Sequence, residues 1–109
     1  MDKLNCLDAL SALAHEARLD VFRLLVRAGP DGMAAGEIAD ALGARQNTMS
    51  TNLAILARAG LIRGAREGRS VRYRADLDGM RGLLAYLMED CCGGRREACA
   101  PLLDTIVCV

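Results

Sequence analysis

Apolar positions recur along this chain with helical spacing over most of its length. Leu4, Leu7, Leu10 and Leu13 repeat every three residues, and after a break near His15 the stripe resumes at Leu19, Phe22, Leu25 and Val26. Two helices are expected there. The run Ala28-Gly29-Pro30-Asp31-Gly32 is dense in turn formers and ends the second one. A short helix over about 34–42 follows, with Ile38, Ala41 and Leu42 expected inward and Gly43 as its stop.

From Gln46 to Ala59 the 3.6-residue period places Met49, Leu53 and Leu56 on one side. Asn47, Thr51 and Arg58 fall opposite, with Ser50 on a flank. Gly60 stops this helix. Residues 61–66 and 70–75 then read as two short strands around Glu67-Gly68-Arg69, a hairpin whose glycine suits positive φ. Val71, Tyr73 and Ala75 alternate with Ser70, Arg72 and Arg74, the period of a half-buried strand. The last clear helix spans about 76–90, with Met80, Leu83, Leu84, Leu87 and Met88 at i, i+3, i+4, i+7 and i+8. Beyond it, Leu102, Leu103, Ile106 and Val107 suggest a loose final helix. No repeat, low-complexity tract or long linker divides the chain. The expected units are residues 1–90, a DNA-binding and dimerisation domain, and 91–109, a cysteine-bearing tail of that same domain.

The expected fold is therefore mainly α with a small β-hairpin, in the order ααααββα. At 109 residues a lone protomer buries a modest share of its surface, so a homodimer would help close the core. Leu4, Leu7, Met80, Leu83, Leu84 and Leu87 are the candidate dimer face. No apolar run approaches the roughly 20 residues that span a bilayer. The stretch 1–12 carries Asp2 and Asp8 where a secretory signal would be basic and then apolar. A cytoplasmic protein without membrane contact is expected, and its five cysteines read as reduced thiols rather than a disulfide framework.

The formal net charge of zero conceals a segregation. Residues 43–75 hold Arg45, Arg58, Arg63, Arg66, Arg69, Arg72 and Arg74 against Glu67 alone, whereas both flanks are acidic. A basic surface on an acidic body suits nucleic acid, the alternative being an ordinary solvated arginine face. The order of short helix, glycine turn, polar-faced helix and arginine-laden hairpin is that of a winged helix-turn-helix. One helix enters the major groove with amide and hydroxyl side chains that bond base edges, and the hairpin presents arginine to phosphate or the minor groove. Gln46, Asn47, Thr48, Ser50 and Thr51 are placed nearest the bases. Arg63, Arg66, Arg69 and Arg72 are assigned to backbone and groove contacts.

Five segments in order, 12–19 (Ala-Leu-Ala-His-Glu-Ala-Arg-Leu), 37–39 (Glu-Ile-Ala), 46–53 (Gln-Asn-Thr-Met-Ser-Thr-Asn-Leu), 56–62 (Leu-Ala-Arg-Ala-Gly-Leu-Ile) and 67–73 (Glu-Gly-Arg-Ser-Val-Arg-Tyr), resemble the successive signatures of the ArsR/SmtB repressors. The likeness covers about residues 4–90. It implies a homodimer, packed through its first and last helices, that occupies an operator in double-stranded DNA and leaves when an inducer binds. Two positions depart from the family pattern. Arg45 stands where Ser or Thr often opens the reading helix, and Asn52 where His often precedes the Leu. Loss of a Ser/Thr cap costs about 1 kcal/mol, and Arg45 offers a phosphate contact in return. Operator preference is affected, not the fold.

Cys91 and Cys92 fall at the end of the last helix, Gly93-Gly94 lets the chain turn, and Cys99 follows. Adjacent helical residues point about 100° apart, so the pair flanks one ligand only where the helix frays. Arg95 and Arg96 favour the thiolate form. Three thiolates suit a soft, thiophilic ion such as trivalent arsenic or antimony, which takes three sulfurs in a pyramid. Zinc prefers four ligands, and there is no Cys-x-x-Cys; His15, the only histidine, is remote in sequence. A four-cysteine zinc site adding Cys108 is the alternative. Some arsenic-responsive members of the family carry a vicinal pair plus a third cysteine, and Cys91, Cys92 and Cys99 resemble that arrangement. The expected inducer is trivalent arsenic or antimony, with no catalytic cofactor. A redox or reactive-sulfur sensor is the runner-up, and a thiol oxidoreductase a distant third, lacking Cys-x-x-Cys or a Cys-His pair. Cys6 lies in an apolar stripe and His15 reads as an exposed or capping residue.

Overall fold

The computed structural model describes residues 1–89. Helix α1 spans Lys3–Leu13, opened by Asp2, whose carboxylate accepts from the Asn5 amide at 2.8 Å. After the break at Ala14 and His15, α2 runs Glu16–Ala28. His15 is exposed and makes no side-chain cap bond. Arg18 Nε donates to the Ala12 carbonyl at 2.7 Å, strapping the two helices together across the break. A 3₁₀ turn, Gly29–Asp31, leads to the two-residue strand β1, Met33–Ala34, and then to α3, Ala35–Leu42. Glu37 Oε1 accepts from the Ala34 amide at 2.9 Å, which satisfies one of the orphan donors of the helix start. α4 spans Gln46–Arg58, β2 Ile62–Glu67, β3 Ser70–Ala75 and α5 Leu77–Leu87.

The helix order and the hairpin are as the periodicity predicts, with Gly43 and Gly68 both at positive φ. β1 is an addition: it pairs antiparallel with β3, Met33 opposite Tyr73 and Ala34 opposite Arg72, giving a three-stranded sheet in the order β1-β3-β2. Gly32, at φ +63°, makes this possible, since a Cβ there would overlap the Tyr73 carbonyl oxygen. The last helix ends at Leu87, three residues short of the expected 90. The tail helix expected at Leu102–Val107 lies outside the described residues. Among the described residues no helix is long and apolar enough to cross a membrane.

α2 is the hub, packing on α1, α3, α4 and β3. Val21, Phe22 and Leu25 from α2 meet Ile38 of α3, Met49, Leu53 and Leu56 of α4, and Leu61 and Ile62 beside the hairpin. Each such side chain, fully buried, contributes roughly 1.5–3 kcal/mol of transfer free energy. Two inward assignments are corrected. Ala41 and Leu42 of α3 are exposed, and Ala39 is buried instead; Leu42 is the final residue of its helix, where α3 runs out against Gly43. The expected alternation in β3 is also absent, because Arg72 and Arg74 fold back onto the turn before β1 and are as half-buried as Val71 and Tyr73.

Candidate nucleic-acid interface

α4 has a core side and an open side. Met49, Asn52, Leu53 and Leu56 are buried, while Gln46, Asn47, Thr48, Ser50 and Thr51 are all exposed. Asn52 is only 5% exposed, a burial that its polar side chain gives no sign of in the sequence; it shares the buried side with Met49 and Leu53, and removes one amide from the open face. Arg45 occupies the N-cap position in extended conformation without a side-chain cap bond, so its exposed guanidinium stands at the start of the helix. Local bonds brace the first turn: Asn47 Oδ1 accepts from the Thr48 amide at 2.8 Å, and Thr51 Oγ1 donates to the Asn47 carbonyl at 3.2 Å. Ser50 and the Gln46 amide group make no such side-chain bond among the described residues.

The hairpin beyond α4 is a wing, and its arginines divide into two groups. Arg66 and Arg69 are exposed at its outer end and enter no ion pair among the described residues. Arg63 lies near the base, its side chain 74% exposed and its Nε 3.5 Å from Asp76 Oδ2. Arg72 differs. Its Nε is 3.1 Å from Glu67 Oε2, NH2 is 3.8 Å from Glu37 Oε1, and NH1 donates to the carbonyls of Asp31 and Gly32 at 3.2 and 3.3 Å. This guanidinium braces the wing against the turn before α3, with its side chain still 28% exposed. Arg74 does similar work, with Nε donating to the Pro30 carbonyl at 2.8 Å.

A second surface lies away from the wing. Leu4 and Leu7 of α1 are 72% and 53% exposed, and Leu84 and Leu87 of α5 are 46% and 49% exposed. Large apolar side chains are thus left open on both helices. Met80 is half-buried against the core, and Leu83 is 2% exposed. Leu83 is thus a core residue of the protomer, not part of the open face, because it sits on the side of α5 that packs inward. Cys6 is buried in α1. Cys91, Cys92, Cys99 and Cys108 lie outside the described residues, and among the described ones no group of three or more His, Cys, Asp or Glu is placed to hold a metal ion.

A short helix and a second helix with an exposed polar face, followed by a cationic hairpin, define a winged helix-turn-helix DNA-binding regulator rather than an enzyme. A family described as a helix-turn-helix domain matches residues 13–65. The homodimeric winged helix-turn-helix DNA-binding domain (fragment 1–100) of Mb0332 from Mycobacterium bovis, a possible ArsR-family transcriptional regulator, is 30% identical. It is matched with TM-score 0.64 over 79% of this chain and 80% of that one. A crystal structure of a possible transcriptional regulatory protein (fragment 1–100) from the same organism is 32% identical, with TM-score 0.64 over 79% and 91% of the two chains. HlyU from Vibrio cholerae is 29% identical, with TM-score 0.63 over 80% and 97%. No curated protein matches the sequence. The chain belongs to the ArsR family of transcriptional regulators.

Proposed function

We propose that the chain is a homodimeric repressor that binds double-stranded operator DNA and releases it when trivalent arsenic or antimony binds. The observation that carries the DNA-reading part is the exposed row Gln46, Asn47, Thr48, Ser50 and Thr51 on α4, next to Arg45 at its start and Arg63, Arg66 and Arg69 on the wing. Amide and hydroxyl groups on a helix discriminate base edges, and arginines on a hairpin hold phosphate. Two such heads, related by a two-fold axis, would enter successive major grooves about 34–36 Å apart. The exposed leucines of α1 and α5 support the dimer, and the Mycobacterium bovis relative is homodimeric. In this reading residues 1–90 read DNA and dimerise, and the tail 91–109 senses, in the cytoplasm.

The inducer reading rests on the donor set. Cys91, Cys92 and Cys99 offer three sulfurs, which suit a soft trivalent ion better than a tetrahedral one. A structure described as a possible transcriptional regulator for arsenical resistance is 28% identical, with TM-score 0.65. Cys91 and Cys92 come four and five positions after Leu87, the last residue of α5, so an ion held there would act close to the helix that carries the dimer face. Coupling of roughly 1–3 kcal/mol weakens operator binding about 5- to 150-fold.

Operator binding at fixed salt, with and without arsenite, for the wild type and Cys91→Ser, tests this. Release by arsenite that the substitution abolishes supports it. Release unchanged by the substitution removes Cys91 from the mechanism. Release only after mild oxidant, with loss of two protons by mass, replaces the ion by a disulfide.

A further inference from the structure

Gly79, in the first turn of α5, lies directly against the turn that ends α4. A Cβ at Gly79 would overlap the Gly60 carbonyl oxygen and stand 3.0 Å from its carbon. One hydrogen bond crosses the same joint and a second caps the start of α5. The Asp76 amide donates to the Leu61 carbonyl at 2.8 Å, and the Gly79 amide donates to Asp76 Oδ1 at 3.0 Å. On the other side, Gly60 at φ +80° closes α4, its amide donating to Ala57 and the Leu61 amide to Leu56, at 3.0 and 3.1 Å. Leu56 and Leu61 are fully buried, so this side of the joint is anchored in the core. The contact is particular to Gly79. One turn on, a Cβ at Gly82 would meet only Met1, at an ordinary 3.8 Å.

We propose that Gly79 is a positioning residue for DNA reading: its bare contact with the Gly60 carbonyl sets the pose of the reading helix α4 relative to the dimer helix α5. The inference rests on the dimeric reading proposed above. α5 carries the exposed leucines that would meet a second copy, and α4 carries the base-reading face. Backbone at Gly60 and Gly79 joins them with no side chain between. Packed joints of this kind do not deform smoothly, so a methyl group at 79 would shift α5 as a unit and alter the separation of the two reading helices.

The test uses the full chain and an operator selected by the wild type from a randomised duplex pool. Gly79→Ala and the control Gly82→Ala are compared on that operator, on a non-specific duplex of equal length, and on operators whose half-sites are moved by one base pair. Gly79→Ala is expected to lose about tenfold in specific affinity, keep its non-specific affinity, and prefer a different half-site spacing; Gly82→Ala is expected to match the wild type. A folded, dimeric Gly79→Ala protein with unchanged specificity ratio and spacing overturns the proposal. So does an equal loss on specific and non-specific DNA, which is simple destabilisation. Should Gly79→Ala fail to fold, hydrogen exchange of the wild type decides: the Asp76 amide must slow when operator binds, and an unchanged rate sinks the idea. A wild type that enriches no sequence from the pool sinks the DNA-reading function itself, and this inference with it.

Discussion

Arg72 Nε lies 3.1 Å from Glu67 Oε2, so one of the wing's arginines is paired with its only acidic residue inside the hairpin itself. The same guanidinium also holds two carbonyls of the preceding turn. Charge content along the chain therefore overstates what the wing can offer to DNA, and the arginines separate by role.

Arg72→Ala is expected to cost about 1–2 kcal/mol of stability, since two backbone bonds and half-exposed ion pairs are lost together. Thermal unfolding measures it. Arg69→Ala should leave the melting temperature within experimental error. It should instead flatten the salt dependence of operator binding by about two, one phosphate contact per protomer. Equal salt slopes for wild type and Arg69→Ala would remove that residue from the interface.

The two adjacent leucines of α5 should separate folding from association. Leu84, 46% exposed, tolerates Asp as a folded protomer within about 0.5 kcal/mol, but the variant should run as a monomer in analytical ultracentrifugation and lose operator affinity. Leu83→Asp puts a charge where the side chain is 2% exposed and should unfold the chain, at a cost above about 4 kcal/mol. A dimeric Leu84→Asp would show that another face is used.

Cys6 is 4% exposed in the core and should be chemically silent in the native protein. A variant with Ser at 91, 92, 99 and 108 retains this single thiol. It should label with a thiol reagent only in denaturant, bind operator as the wild type does, and ignore arsenite. Release of DNA by arsenite in that variant would place the sensor at Cys6.

The helices were legible because their apolar positions follow one period for two or three turns, as in Met49, Leu53 and Leu56. β1 was not, since two residues cannot show an alternation and their partners, Tyr73 and Arg72, lie about 40 residues away along the chain. Leu83 and Leu84 illustrate another limit. Periodicity puts both on the apolar side of α5, but only packing decides which edge faces the protomer's own core. Likewise the polar face of α4 could be read from spacing, whereas the internal engagement of Arg72 and Arg74 could not, because a guanidinium's partners are set by tertiary contact. The burial of Asn52 left no sign in the sequence, where its side chain reads as polar.

The brace from Arg72 and Arg74 to residues 30–32, together with β1, ties the wing to the ground it stands on. A hairpin already ordered in the free protein has little conformational entropy left to lose on docking. Adjustment then falls to the duplex. Operators whose flanking steps bend or narrow easily should be favoured even where no side chain touches a base, so part of the target's identity is written in the stiffness of the DNA.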